Sequence, residues 1–195
     1  MEGKGDPQLL GVPIFVVGSI ALGLTLVRYV PAAAGGAALP ILLAATGLGL
    51  LIATVWAVRN GESFVASVFG IFLGFWWSFP VLVLGLTHDW FAIPADDVKR
   101  TVALFLISWT ILIFFLMLSS VRLPSIYMFL LLLVVIALVV ETIATLKTSE
   151  GMHKTAGVVV FAFAAVGVYI FMAVASLSLG GRGLPLGKPL ARAQD

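Results

Sequence analysis

Polar positions serve as punctuation in this chain, and between them six stretches run long enough without a charge to cross a membrane as helices. An α-helix needs about 20 mostly apolar residues to cross a hydrocarbon layer of roughly 30 Å. The first stretch runs from Leu9 to Val27 and ends at Arg28. The second lies inside the charge-free interval Tyr29 to Val58; its early part, Pro31 to Pro40, is rich in Ala and Gly and reads as a turn. Its helix is expected to begin near Pro40, because proline suits a first helical turn, where its missing N–H is not needed.

Arg59-Asn60-Gly61-Glu62 forms a tight polar turn, and Ser63 to Leu86 is the third span. The longest polar connection follows, Thr87 to Arg100, with His88, Asp89, Asp96, Asp97, Lys99 and Arg100. The fourth span is Thr101 to Val121, the fifth Ser125 to Leu146 with Glu141 inside it, and the sixth Thr155 to Leu179. Arg122 to Pro124 and Lys147 to Lys154 are the connecting loops, and Gly180 to Asp195 is a tail. The start, Met1 to Pro7, sets one Lys against Glu2 and Asp6, so the first span reads as a retained helix rather than a cleaved leader. The expected fold is an all-α integral membrane protein, six transmembrane helices in one bundle forming a single domain over 1–195.

Composition agrees: 62% of the residues are apolar and 10% charged, against about 45 to 50% and about 25% in soluble domains. That excludes a solvated globule, a disordered chain and a disulfide scaffold. The net charge of +2 rests on charges at segment ends and implies no nucleic-acid partner. With both termini inside, Lys4, Arg59, Arg122, Arg182, Lys188 and Arg192 fall inside, against Arg28, Lys99, Arg100, Lys147 and Lys154 outside. The three basic residues of the tail tip the orientation towards cytoplasmic termini.

Within the third span, Ala66, Gly70, Gly74 and Ser78 recur every four residues and share one helix face. Such a face suits either a pore or oligomer seam or packing within the chain. Pro80 and Pro13 each remove a backbone donor, which predicts kinks near Trp76 and near the start of the first span. Phe72, Phe75, Trp76, Trp77 and Phe79 cluster mid-span. They read either as a packed or lipid-facing belt or as an apolar constriction that closes a pore by dewetting.

No enzyme is expected. Cysteine is absent, no H-E-x-x-H motif occurs, and Ser19, Ser67, Ser78 and Ser108 have no histidine within a span to activate them. His88 and His153 both fall in loops by this reading, and neither a cofactor nor a metal site is expected. Glu141 is the one intramembrane acid and hence a possible protonatable group. It stands six residues before Lys147, about 9 Å along a helix, and is expected to reach the interface or pair with Lys147.

Two terminal motifs add a resemblance. Asp6-Pro7-Gln8-Leu9-Leu10-Gly11-Val12 and Gly181-Arg182-Gly183-Leu184-Pro185-Leu186-Gly187 resemble the Asn-Pro-Ala-Pro-Leu-Gly-Leu opening and Gly-Arg-x-x-Leu-Pro-x-Gly ending of the acetate uptake transporter family, the YaaH or succinate-acetate permease type. Between them Arg59-Asn60-Gly61, Phe75-Trp76, Trp109, Arg122, Ala156-Gly157 and Tyr169 follow that family's order and approximate spacing. The resemblance implies a homo-hexamer in the cell membrane, with a separate path for small monocarboxylates or dicarboxylates in each protomer. It also implies a gate of Phe15, Phe72 and Val134, and a substrate route beside Asp6, Pro7, Leu10 and Gly11, with Trp76 further along. A helix start at Pro7 would aim N–H groups and a positive dipole end at an anion.

The chain departs from that pattern where Asp6 replaces Asn, Phe72 replaces Tyr, and Gly23 and Leu50 stand where Asn and Gln are typical. A drier route follows, costly for an ionised carboxylate and easier for a protonated acid. Three functions stay open: a small-carboxylate transporter or channel, the same fold conducting a neutral or cationic solute such as ammonia, and a non-transporting scaffold embedded in membrane lipid.

Overall fold

The computed structural model describes residues 5–191. Lys4 and Arg192, both used in the charge count, lie outside them. Among the described residues the regular elements are all helices: α1 is Gln8–Leu26, α2 Leu48–Asn60, α3 Ser63–Thr87, α4 Val98–Ser119, α5 Ser125–Lys147 and α6 Glu150–Ser178. With their flanking turns they give six helical segments long and apolar enough to cross a membrane.

The Ala- and Gly-rich stretch before α2 is a 3-10 helix, Ala32–Ala38, and it leads into a π-helical turn, Ile41–Gly47. The wider π turn loosens the backbone, and Trp77 Nε1–H donates to its Leu43 carbonyl at 3.3 Å. The Trp77 ring rests so tightly on Gly47 that no side chain fits there. Gly61, at φ +79, turns the chain out of α2 in the left-handed conformation that suits glycine. Both α1 and α3 run as uninterrupted helices through Pro13 and Pro80.

α6 begins at Glu150, five residues earlier than the charge pattern places it. Ser149 caps it, its hydroxyl accepting the Met152 N–H. His153 is therefore in the first turn of a helix and not in a loop.

α6 packs between α1 and α5, α4 packs on α5, and α2 on α3. α3 meets α4 through aromatic rings, Phe75 and Phe79 packing on Phe105 and Trp109 packing on Phe75 while it covers Gly74. Gly70 faces Thr54 of α2, and Ala66 is buried, so the small-residue face of α3 is used inside the chain. Hydroxyls along the spans mostly donate to carbonyls one turn back, as Ser19 does to Phe15 at 2.7 Å and Thr142 to Leu138 at 2.7 Å. That arrangement leaves few polar groups facing hydrocarbon. Outward positions such as Leu104, Ile111 and Phe115 are exposed apolar side chains.

Candidate functional site

Among the described residues, two adjoining cavities line up within the bundle. The larger, about 340 Å³, is lined at its mouth by Gln8, Phe64, Pro124 and Tyr127 and at its floor by Phe15 and Phe72. The smaller, about 40 Å³, runs on from the same two rings to Trp76, Val134, Leu138 and Phe163. Phe15 and Phe72 are the only residues that line both.

Helix direction orders the cavities along the bundle axis. On α1 the lining passes from Gln8 through Phe15 to Leu22, on α3 from Phe64 through Phe72 to Trp76, and on α5 from Tyr127 to Leu138. Gln8 to Leu22 is about 21 Å of helix at 1.5 Å per residue, or roughly two-thirds of a hydrocarbon layer. The aromatic pair sits between the two spaces with ring centroids 4.8 Å apart, edge to face. Phe163 and Trp76 back the Phe15 ring at 5.7 and 6.2 Å. Phe72, Phe75 and Trp76 are thus buried in the core, while Trp77 turns outward at 37% exposure.

At the mouth, the Tyr127 hydroxyl donates to Gln8 Oε1 at 2.7 Å, tying the first turn of α5 to that of α1. Asp6 Oδ1 accepts the Gln8 N–H at 2.8 Å, and Pro7 is buried at the helix start. The remaining N–H groups of the first turn are also engaged: Leu9 donates to the Asp6 carbonyl, and Leu10 and Gly11 to that of Pro7. The helix end expected to receive an anion is therefore closed by the chain's own carboxylate and carbonyls.

The other expected residues fall into two groups. Phe15 and Phe72 meet, and Val134 and Trp76 line the smaller cavity with them. Asp6, Pro7, Leu10 and Gly11 line neither cavity; Gly11 packs against the Phe69 ring, which does line the larger one. Leu50 lines that cavity as well, whereas Gly23 is covered by Phe161. Gln8 and Tyr127 escaped the sequence reading because a lone amide and a lone phenol at span ends look like ordinary interface residues.

Glu141 lies one turn beyond Leu138, past the narrow end of the smaller cavity. Its partner is His153 rather than Lys147: Nδ1 stands 2.8 and 3.0 Å from the two carboxylate oxygens. With Glu141 ionised, Nδ1 is the donor, because a carboxylate only accepts. Arg28, Glu150 and Lys154 form a looser exposed network beside them. His153→Ala removes the closest partner of a carboxylate whose side chain is 18% exposed. The expected loss is about 1 to 3 kcal/mol, read as a lower thermal midpoint in detergent. Glu141→Gln in the same background should recover most of it; an unchanged midpoint for His153→Ala would contradict the pairing. Among the described residues no cluster could hold a metal ion.

The model of the GPR1/FUN34/yaaH family matches residues 2–178. A solved structure described as that of the bacterial acetate channel SatP superposes with a TM-score of 0.82 at 19% identity, covering 94% of this chain and 99% of that one. The Meiotically up-regulated gene 86 protein of Schizosaccharomyces pombe is 29% identical over 110 residues, which are 54% of this chain and 35% of that protein. The chain thus spans about a third of the length of that curated relative.

Proposed function

The chain belongs to the GPR1/FUN34/yaaH family, and from that membership we propose that it is a multi-pass membrane channel or transporter for small carboxylates such as acetate or succinate. The observation that carries the proposal is the axial pair of cavities joined only at Phe15 and Phe72. In this reading the two rings are the gate, Val134 and Trp76 line the path beyond it, and Asp6, Pro7, Leu10 and Gly11 hold Gln8 and Phe69 in place at the mouth. The likeness in fold to the structure described as an acetate channel supports it.

The path lies within one chain, so each protomer of the homo-hexamer implied by the resemblance has its own. Among the described residues Arg59, Arg122, Arg182 and Lys188 fall at the end of the bundle that bears the larger mouth, against Arg28, Lys99, Arg100, Lys147 and Lys154 at the other, so the reading of cytoplasmic termini rests on the basic tail alone.

The solute crosses the gate as neutral acid. Stripping water from a carboxylate costs several kcal/mol unless fixed donors replace it, and the first-turn N–H groups of α1 are all engaged. Proteoliposomes given labelled acetate should show protein-dependent uptake above that of protein-free vesicles. For an acid of pKa about 4, that uptake should rise about tenfold per pH unit from pH 7 to pH 5. No uptake at any pH by folded protein would refute the carboxylate assignment, and protein-dependent ammonia flux in its place would favour the neutral-solute alternative.

Asp6→Asn separates charge from capping, because asparagine caps a helix as well as aspartate does. Because the species that crosses is neutral, removing the charge should leave uptake and its rise from pH 7 to pH 5 unchanged, whereas a gain of about fivefold at pH 7, the equivalent of removing a repulsion of about 1 kcal/mol, would show that the anion is the species that crosses.

A further inference from the structure

We infer that the smaller cavity is a subsite for a single hydrogen-bond acceptor, with the Trp76 indole N–H as its donor. The inference rests on the transport reading and specifies what the solute meets just past the gate. Trp76 is 1% exposed, and its Nε1 is buried with no acceptor among the described residues. A buried N–H without a partner forfeits the hydrogen bond it makes to water in the unfolded chain, so a solute oxygen placed there relieves a standing penalty.

The rest of the lining sharpens the chemistry. Phe15, Phe72, Phe75, Ile113, Val134 and the other side chains around the 40 Å³ space carry no polar atom. One neutral donor in an apolar shell suits one neutral acceptor: a water molecule, or the carbonyl oxygen of a small protonated acid. It does not suit a carboxylate, which wants two or three donors to replace its water. About 40 Å³ exceeds the minimum of roughly 10 to 15 Å³ that holds one water.

The two occupants share this chemistry and differ in their response to solute. With the indoles labelled by nitrogen-15, the detergent-solubilised protein should give one N–H signal for each of its five tryptophans. The Trp76 signal is assigned by its loss in Trp76→Phe or Trp76→Tyr. If those variants do not fold, it is the signal that survives separate Trp56→Phe, Trp77→Phe, Trp90→Phe and Trp109→Phe changes. Magnetisation transfer from water to the Trp76 N–H identifies water as the occupant. A saturable shift on adding acetate at pH 5, absent at pH 7, identifies the protonated acid. A signal that does neither overturns the subsite.

Acetate uptake by the same preparations keeps the two claims apart. Trp76→Phe should lower protein-dependent uptake by about tenfold. Unchanged uptake with a silent Trp76 signal would remove the subsite and leave the transport reading intact. No uptake by the unmodified chain would remove the transport reading, while the water-transfer measurement would still decide whether the N–H has an acceptor.

Discussion

Phe72→Ala is expected to raise protein-dependent acetate flux about tenfold or more, equivalent to lowering the barrier by about 1.4 kcal/mol per factor of ten. The Phe72 ring forms the floor of one cavity and the roof of the other, and only Phe15 stands with it at 4.8 Å. Removing one ring merges the two spaces into one that water can wet, and an apolar constriction closes only while it stays dry. Phe15→Ala should act in the same direction. The double variant should gain far less than the product of the single effects, because one missing ring already opens the gap. Each change also removes a buried aromatic ring, at a stability loss near the lower end of about 3 to 5 kcal/mol, since cavities already flank the pair. Flux in vesicles and thermal midpoints in detergent together separate opening from unfolding.

Gly11→Leu is expected to have the largest effect in the other direction. A Cβ at Gly11 would overlap three atoms of the Phe69 ring, and Phe69 is itself buried against the larger cavity. The ring has one direction in which to yield, into the 340 Å³ space, so the substitution should fill the mouth and strain the α1–α3 contact together. Overpacking of this kind costs about 1 to 3 kcal/mol, and each kcal/mol lowers the midpoint by roughly 2 to 4 °C in a chain of this size. Acetate uptake should fall at least tenfold at temperatures where the protein remains folded. Gly151, where an added Cβ meets nothing, is the control: Gly151→Ala should be neutral or slightly stabilising, since alanine favours a helix. Equal behaviour of the two variants would contradict the role given to Gly11.

The six spans were legible because charge is costly in hydrocarbon, and so its spacing marks where helices leave the membrane. The same rule misplaced the start of α6. Its first turn carries Glu150, His153 and Lys154 beyond the apolar stretch, and a charged turn that is still helical looks like a loop to a count of charges. The π turn at Ile41–Gly47 was invisible for a different reason: it depends on Trp77 seating on Gly47 from another helix, a tertiary contact that leaves no local pattern.

Resemblance, not periodicity, singled out Phe15 and Phe72 together, since residues 57 apart in sequence share no local rule. Glu141 was legible as costly, but its partner was not. His153 becomes available only because Ser149 starts α6 early and swings that turn against α5. Asp6 was read as a charge facing the route, and what composition could not convey is that its carboxylate holds the Gln8 N–H at the start of α1, while its own carbonyl and that of Pro7 take the next three N–H groups that would have welcomed an anion.

The chain has no cysteine, which opens a direct test that Phe15 and Phe72 are the barrier between two segments of one path. Cysteine is placed at Val68, in the larger cavity, or at Val134, in the smaller one. A small membrane-impermeant methanethiosulfonate is then applied from the side of the larger mouth. Val68→Cys should react in every background, whereas Val134→Cys should stay unmodified with Phe72 in place and react when Phe72→Ala is added. If Val134→Cys reacts at the same rate with and without Phe72 while Val68→Cys is modified as expected, the pair is not the barrier and the account fails.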